Sequence, residues 1–192
     1  MSHISSIGAG MFSDMAVCVD TSEITAAIAD PSETNLKACF ANEIANGTTV
    51  GVDTGEFIRL PNVREFPALG TPANVVNVPV YGSATSQQIQ GQADAPSLEV
   101  TVNFVGTEWQ DTADFLGNMV GDGIQRVFRF AMLNAEPAAY ASIVGEIGAV
   151  ENSQYFWVGK IEALQVNPQL TDANTATITL TLQSDFFGAF TD

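Results

Sequence analysis

At 192 residues, 46% of them hydrophobic, the chain can bury one substantial core and is too apolar to be disordered throughout. Twenty-two acidic residues outnumber six basic ones for a formal net charge of -16, and those six (Lys37, Arg59, Arg64, Arg126, Arg129 and Lys160) are scattered. The clustered cations that bind phosphate are therefore excluded, and no stretch approaches the roughly 20 apolar residues of a membrane helix.

The opening residues, 1–14, are rich in Ser, Gly and Met without a period and read as an N-terminal arm. With no Lys or Arg before Lys37 and no long apolar run, a secretory signal is not expected. AVCVD (Ala16 to Asp20) reads as a short strand. In DPSETNLKACFANEI, Asp30 is placed to cap, Pro31 suits the first helical position, and Leu36, Cys39, Phe40 and Ile44 follow helical spacing, so a short helix is expected. Cys18 and Cys39 are the only cysteines; two buried free thiols are expected, with a disulfide as the alternative. Asn46-Gly47 reads as a tight turn.

From Glu56 to Ala73 the hydrophobics are too interrupted by Pro61, Pro67, Gly70 and Pro72 for a long element. Val76, Val78 and Val80 then alternate, and Pro79 marks that strand as an edge. Residues 82–97, polar and almost uncharged, are expected to form an extended loop, either plainly solvated or packed on another subunit. SLEVTVNFV is a strand with Leu98, Val100, Val102 and Phe104 inward and Glu99, Thr101 and Asn103 outward. The following TEWQDTADFLGNMVGDG predicts an α-helix over 107–121: Thr107 and Gln110 are spaced as a capping box, and Trp109, Ala113, Leu116 and Val120 form one stripe. Asp111 and Asp114 fit favourable placement near a helix start better than a metal site.

IQRVFRFAML predicts a strand whose Arg126 and Arg129, in so acidic a chain, imply salt-bridge partners on a neighbouring strand or subunit. Residues 135–150, rich in Ala and Gly, fit no single element. YFWVGKIEALQV and TATITLTLQSDFF close the chain as two long strands. In the last, Ala176, Ile178, Leu180 and Leu182 alternate with Thr175, Thr177, Thr179 and Thr181, a neutral β-branched face where a solvated strand would carry charge. The expected fold is one mainly β domain over 1–192, an antiparallel β-sandwich or barrel-forming sheet with one flanking helix.

Chemistry is sparse. The single histidine, His3, lies in the arm, so no catalytic triad or metal cluster assembles. Gly8-Ala9-Gly10 begins like a dinucleotide fingerprint, but residue 13 is Ser and no strand precedes it. No catalytic residue, cofactor or metal is expected, and the chain does not read as an enzyme.

The segments NVREFPALGTPANVVNVPVYG (Asn62 to Gly82), IQGQADAPSLEVTVNFV (Ile89 to Val105), the expected helix after them, and the closing YFWVGKIEALQVNP and TATITLTL strands together resemble the major tail tube proteins of long, non-contractile-tailed bacteriophages. The resemblance covers roughly residues 57–190 and fits residues 16–54 least. It implies β-sandwich subunits in sixfold rings whose inner sheets join into a continuous barrel. Such rings stack through loops and arms into a virion tail tube, made in the host cytoplasm and traversed by viral DNA during ejection. Partners implied are further copies of the chain, tape measure, tail tip and terminator proteins, and DNA passing without tight binding, with no membrane. Candidate lumen-facing residues are then Glu99, Thr101, Asn103, Thr177, Thr179 and Thr181. Candidate contacts between rings or subunits are Gln87, Gln88, Gln90, Gln92, Asp94, Arg126 and Arg129, with residues 2–13 and 82–97 as the segments that carry rings onto one another. No appended immunoglobulin-like domain is expected. Competing readings are a pilin- or fibre-like subunit that polymerises by strand exchange, and a carbohydrate-binding module using Trp109 and Trp157 as platforms.

Overall fold

The computed structural model describes residues 13–47, 56–70, 75–79, 81–82, 84–85, 87–90, 97–132 and 153–191, and among these are ten strands, two short α-helices and one 3-10 turn. In chain order these are β1 (Asp14–Cys18), α1 (Thr21–Ala29), α2 (Glu33–Ala38), β2 (Phe57–Arg59), β3 (Val63–Glu65), β4 (Val75–Val78), β5 (Gln87–Gln90), β6 (Ser97–Asn103), the 3-10 turn (Leu116–Met119), β7 (Arg126–Met132), β8 (Ser153–Asn167), β9 (Thr175–Leu182) and β10 (Phe187–Thr191). The protein is mainly β, as expected, with eight strands in one antiparallel sheet ordered β2-β1-β7-β8-β9-β6-β3 and β10 beside the start of β8. β4 and β5 form a separate hairpin.

Strict alternation builds the sheet. Leu98, Val100 and Val102 on β6 lie opposite Leu180, Ile178 and Ala176 on β9, all buried, and they meet Met15, Val17, Phe128 and Trp157 in one core. Because residues from both ends of the sheet share that core, the sheet must curl on itself. Trp157, with no exposed surface, stacks on Phe128 with ring centroids 5.7 Å apart.

The other surface of the sheet is divided. Over β1, β7 and the start of β8 it is covered: Ala16, Cys18, Val127 and Phe156 pack against Ile24, Ala27, Leu36, Cys39 and Phe40 from α1, α2 and the segment after them. Asp20 caps α1 by accepting from the backbone N–H groups of Ser22 and Glu23 at 2.8 and 3.0 Å, and Ser32 caps α2. The short helix expected after Pro31 therefore starts at Ser32 rather than Asp30, which instead closes α1 through its N–H to the Ala26 carbonyl. Cys18 and Cys39 are both buried free thiols.

Residues 107–121 are not an α-helix. They run as turns with a single 3-10 turn at Leu116–Met119, and Asp114 adopts a positive φ of 72 degrees that no helix contains. The reason is tertiary. The Asn46 side chain donates to the Glu108 carbonyl at 2.6 Å and accepts from the Leu116 N–H at 3.1 Å, while Gly47 N–H donates to the Asp114 carbonyl at 2.8 Å. These bonds use backbone groups that a helix would have paired internally. Trp109 and Leu116 are buried as their spacing implied, but by a folded loop. The expected extended loop 82–97 also needs correction: residues 87–90 are strand β5, in register with β4 from Val75↔Gln90 to Val78↔Gln87.

Candidate functional site

All six residues expected on a common polar face are brought together. β6 and β9 pair with Glu99 opposite Thr179, Thr101 opposite Thr177, Asn103 opposite Thr175 and Ser97 opposite Thr181. Directly paired residues point to the same side of a sheet, so these eight side chains form a two-strand polar stripe. β8 widens it: Lys160 lies opposite Thr181, Ala163 opposite Thr179, Gln165 opposite Thr177 and Asn167 opposite Thr175, with a bulge between Ile161 and Ala163. β3 adds Glu65 opposite Thr101. Threonine suits such a face because its branched Cβ favours the extended backbone while its hydroxyl stays polar without charge.

This face is the continuation of the surface that the helices cover over β1 and β7, but no described element lies across it here. Its threonines are half-buried by their neighbours, and Glu99 and Glu65 are exposed. Lys160 escaped the sequence reading because the β8 alternation slips at Glu162, so only the observed register puts it beside Thr181.

The strands bearing the face end in unpaired edges. Among the described residues β8 from Lys160 to Asn167 pairs with β9 alone, apart from the Ile161 carbonyl accepting from Gly121 N–H at 2.8 Å. On the far side β3 ends the sheet, and among the described residues no strand pairs with its outer edge. Unpaired N–H and C=O groups in a row are a template for another strand.

Beneath the helix layer sits a second polar feature, a buried charge quartet. Arg59 Nε lies 3.3 Å from both Asp14 Oδ2 and Glu43 Oε2, and Arg129 Nη2 lies 3.3 Å from Asp14 Oδ2. The Arg129 guanidinium sits 4.8 Å from the ring centres of both Phe40 and Phe57, a cation-π clasp. Two positive and two negative charges balance. Yet neither Glu43 oxygen accepts a hydrogen bond, and burial pushes its carboxyl up to about 7 despite the attraction of Arg59. Asp14, Glu43 and Arg59 were not singled out in the sequence; an arginine embedded in an apolar strand run, as in FIRL, is the available signal.

Of the two partners left open for Arg129, on a neighbouring strand or on another subunit, the structure shows the first: it is 2% exposed and bonded to Asp14 on the neighbouring strand, which corrects its place among the contacts between subunits. Arg126 forms a two-pronged pair with Asp122, at 2.6 and 3.1 Å, also within the subunit. Gln87, Gln88 and Gln90 lie on β5. Gln92, Asp94 and the arm residues 2–12 lie outside the described residues. Trp109 and Trp157 are buried, so neither is a surface platform.

Among the described residues no group of three or more His, Cys, Asp or Glu side chains could hold a metal ion, and no helix is long and apolar enough to cross a membrane. No protein-family model matches the sequence, and none of the curated proteins matches it.

Proposed function

We propose that this chain is a self-assembling structural subunit of a bacteriophage tail tube, forming stacked rings around a channel through which viral DNA leaves the particle. The observation that carries the reading is the face of β8, β9, β6 and β3, neutral apart from Glu65, Glu99, Lys160 and the bulged Glu162, which among the described residues is uncovered and bounded by unpaired strand edges. A rotation about a ring axis preserves strand direction. β3 runs antiparallel to β8, so β3 of one copy would meet β8 of the next in antiparallel pairing, continuing the sheet from subunit to subunit. A closed ring of sheets removes the open edges.

The face then lines the lumen. A surface of threonine, asparagine and glutamine with a slight excess of carboxylate has nothing to replace the counterions of DNA and lets it slide. The net charge of -16 adds repulsion that acts within about 8 Å, the screening length at physiological ionic strength, which matters in a narrow channel. Burial of both tryptophans removes the two platforms on which the carbohydrate reading rested.

Negative-stain electron microscopy of the concentrated protein tests the proposal. Hollow tubes or sixfold rings are expected; a monomer that persists at high concentration refutes it.

A further inference from the structure

Two uncharged features of the molecule are left over once the sheet face is accounted for. The first is the β4 and β5 hairpin, which among the described residues pairs only with itself. An isolated two-stranded hairpin is marginal in water and gains its order from a surface to lie on. Beyond β4, Tyr81 is fully exposed at 106% of its reference area, with Val78 also exposed. The second is a pocket of about 340 Å³ lined by Pro67, Leu69, Phe130, Met132, Tyr155 and Phe186, with no charged residue in its wall.

Charge decides what can join them. Phe66 through Ala93 is a run of 28 residues without Asp, Glu, Lys, Arg or His, in a chain that otherwise carries 22 acids. Two copies at -16 each repel one another, and they approach at least cost where both contacting surfaces are neutral. The hairpin end and the pocket are two such surfaces. The rival anchor, fully exposed Leu170 at the turn between β8 and β9, lies two residues from Asp172 and lacks that neutrality.

We propose that Tyr81 of one copy inserts into the pocket beside Phe130, Met132 and Tyr155 of a second copy of this chain. A tyrosine suits the place, since its ring buries roughly 150–250 Å² of apolar surface while its hydroxyl keeps a polar exit. Anchor and pocket are different patches of one molecule, so the contact is head-to-tail, the class of contact that can repeat along an axis, as stacking along a tube requires. The inference rests on the self-assembly reading above and specifies how successive rings hold together.

The test mixes Tyr81→Cys protein with Met132→Cys protein and adds a short bis-maleimide, beside tube assembly of the wild type, Tyr81→Ala and Tyr81→Phe. Cys18 and Cys39 are fully buried and do not compete for the reagent. Expected are cross-linked dimers at least tenfold more abundant in the mixture than in either variant alone. Tyr81→Ala should raise the concentration needed for assembly at least tenfold, and Tyr81→Phe should assemble nearly as the wild type does. Wild-type tubes with no enrichment of the cross-link, and Tyr81→Ala assembling normally, overturn the docking and leave the tube reading standing. Enriched cross-linking in open chains that are not hollow supports the docking and overturns the tube reading. A wild type that stays monomeric and shows no cross-link overturns both.

Discussion

Replacing Glu43 by Gln should make this protein more stable at neutral pH and nearly unchanged near pH 4.5. The carboxyl is fully buried, its two oxygens accept no hydrogen bond, and burial pushes its pKa from 4.5 to about 7. A folded-state pKa above the unfolded one means that the folded protein holds a proton which the unfolded chain releases. The stability this proton confers is complete below pH 4.5 and is lost progressively as pH rises to about 7. At 1.36 kcal/mol per pKa unit, that shift corresponds to about 3 kcal/mol. Glutamine mimics the protonated carboxyl in shape and charge, so the variant should gain about 2 to 3 kcal/mol over the wild type at pH 8 and about 0 at pH 4.5. Urea unfolding of both proteins at several pH values, at concentrations where both are monomeric, measures the difference. Taking that difference cancels the general repulsion among the other acids, which also grows with pH. If the two proteins have equal stability at pH 8, or if their difference does not grow between pH 4.5 and 7, the account of the quartet is refuted.

Asn46→Ala should cost about 2 to 3 kcal/mol in the same assay, because the Glu108 carbonyl and Leu116 N–H lose their partner in a partly buried loop. Arg129→Ala should cost about 3 to 5 kcal/mol, since it strips a buried carboxylate of one of its two cations and empties the cradle between Phe40 and Phe57. Trp157→Ala should cost about 3 to 5 kcal/mol by opening a cavity beside Phe128, and wild-type tryptophan emission should be blue-shifted and insensitive to added sugars. On the proposed tube reading, Thr179→Lys should leave subunit folding and tube formation intact while reducing infectivity of phage built with it, because a ring of lysines would bind passing phosphates; loss of tubes instead would place the face in an interface between subunits.

Local pattern alone specified much of this protein. The alternation in β6, β7 and β9 named both faces of each strand, and the neutral threonine stripe was legible because strand side chains repeat every two residues regardless of context. Even α1, absent from the sequence reading, had a signal in Asp20 followed three residues later by Glu23. What only the tertiary structure decided were relations between distant residues. Residues 107–121 carry a helical stripe and a capping-box spacing, yet Asn46 and Gly47, some 60 to 70 positions away, claim their backbone groups and hold them as a loop. The sequence implies an ion-pair partner for Arg129 but not which one; only the fold places Asp14 of β1 beside it and closes Phe40 and Phe57 over it. Lys160 joins the threonine face only through the register left by the bulge at Glu162. Periodicity belongs to the chain; pairing depends on which segments the folded core brings within hydrogen-bonding distance.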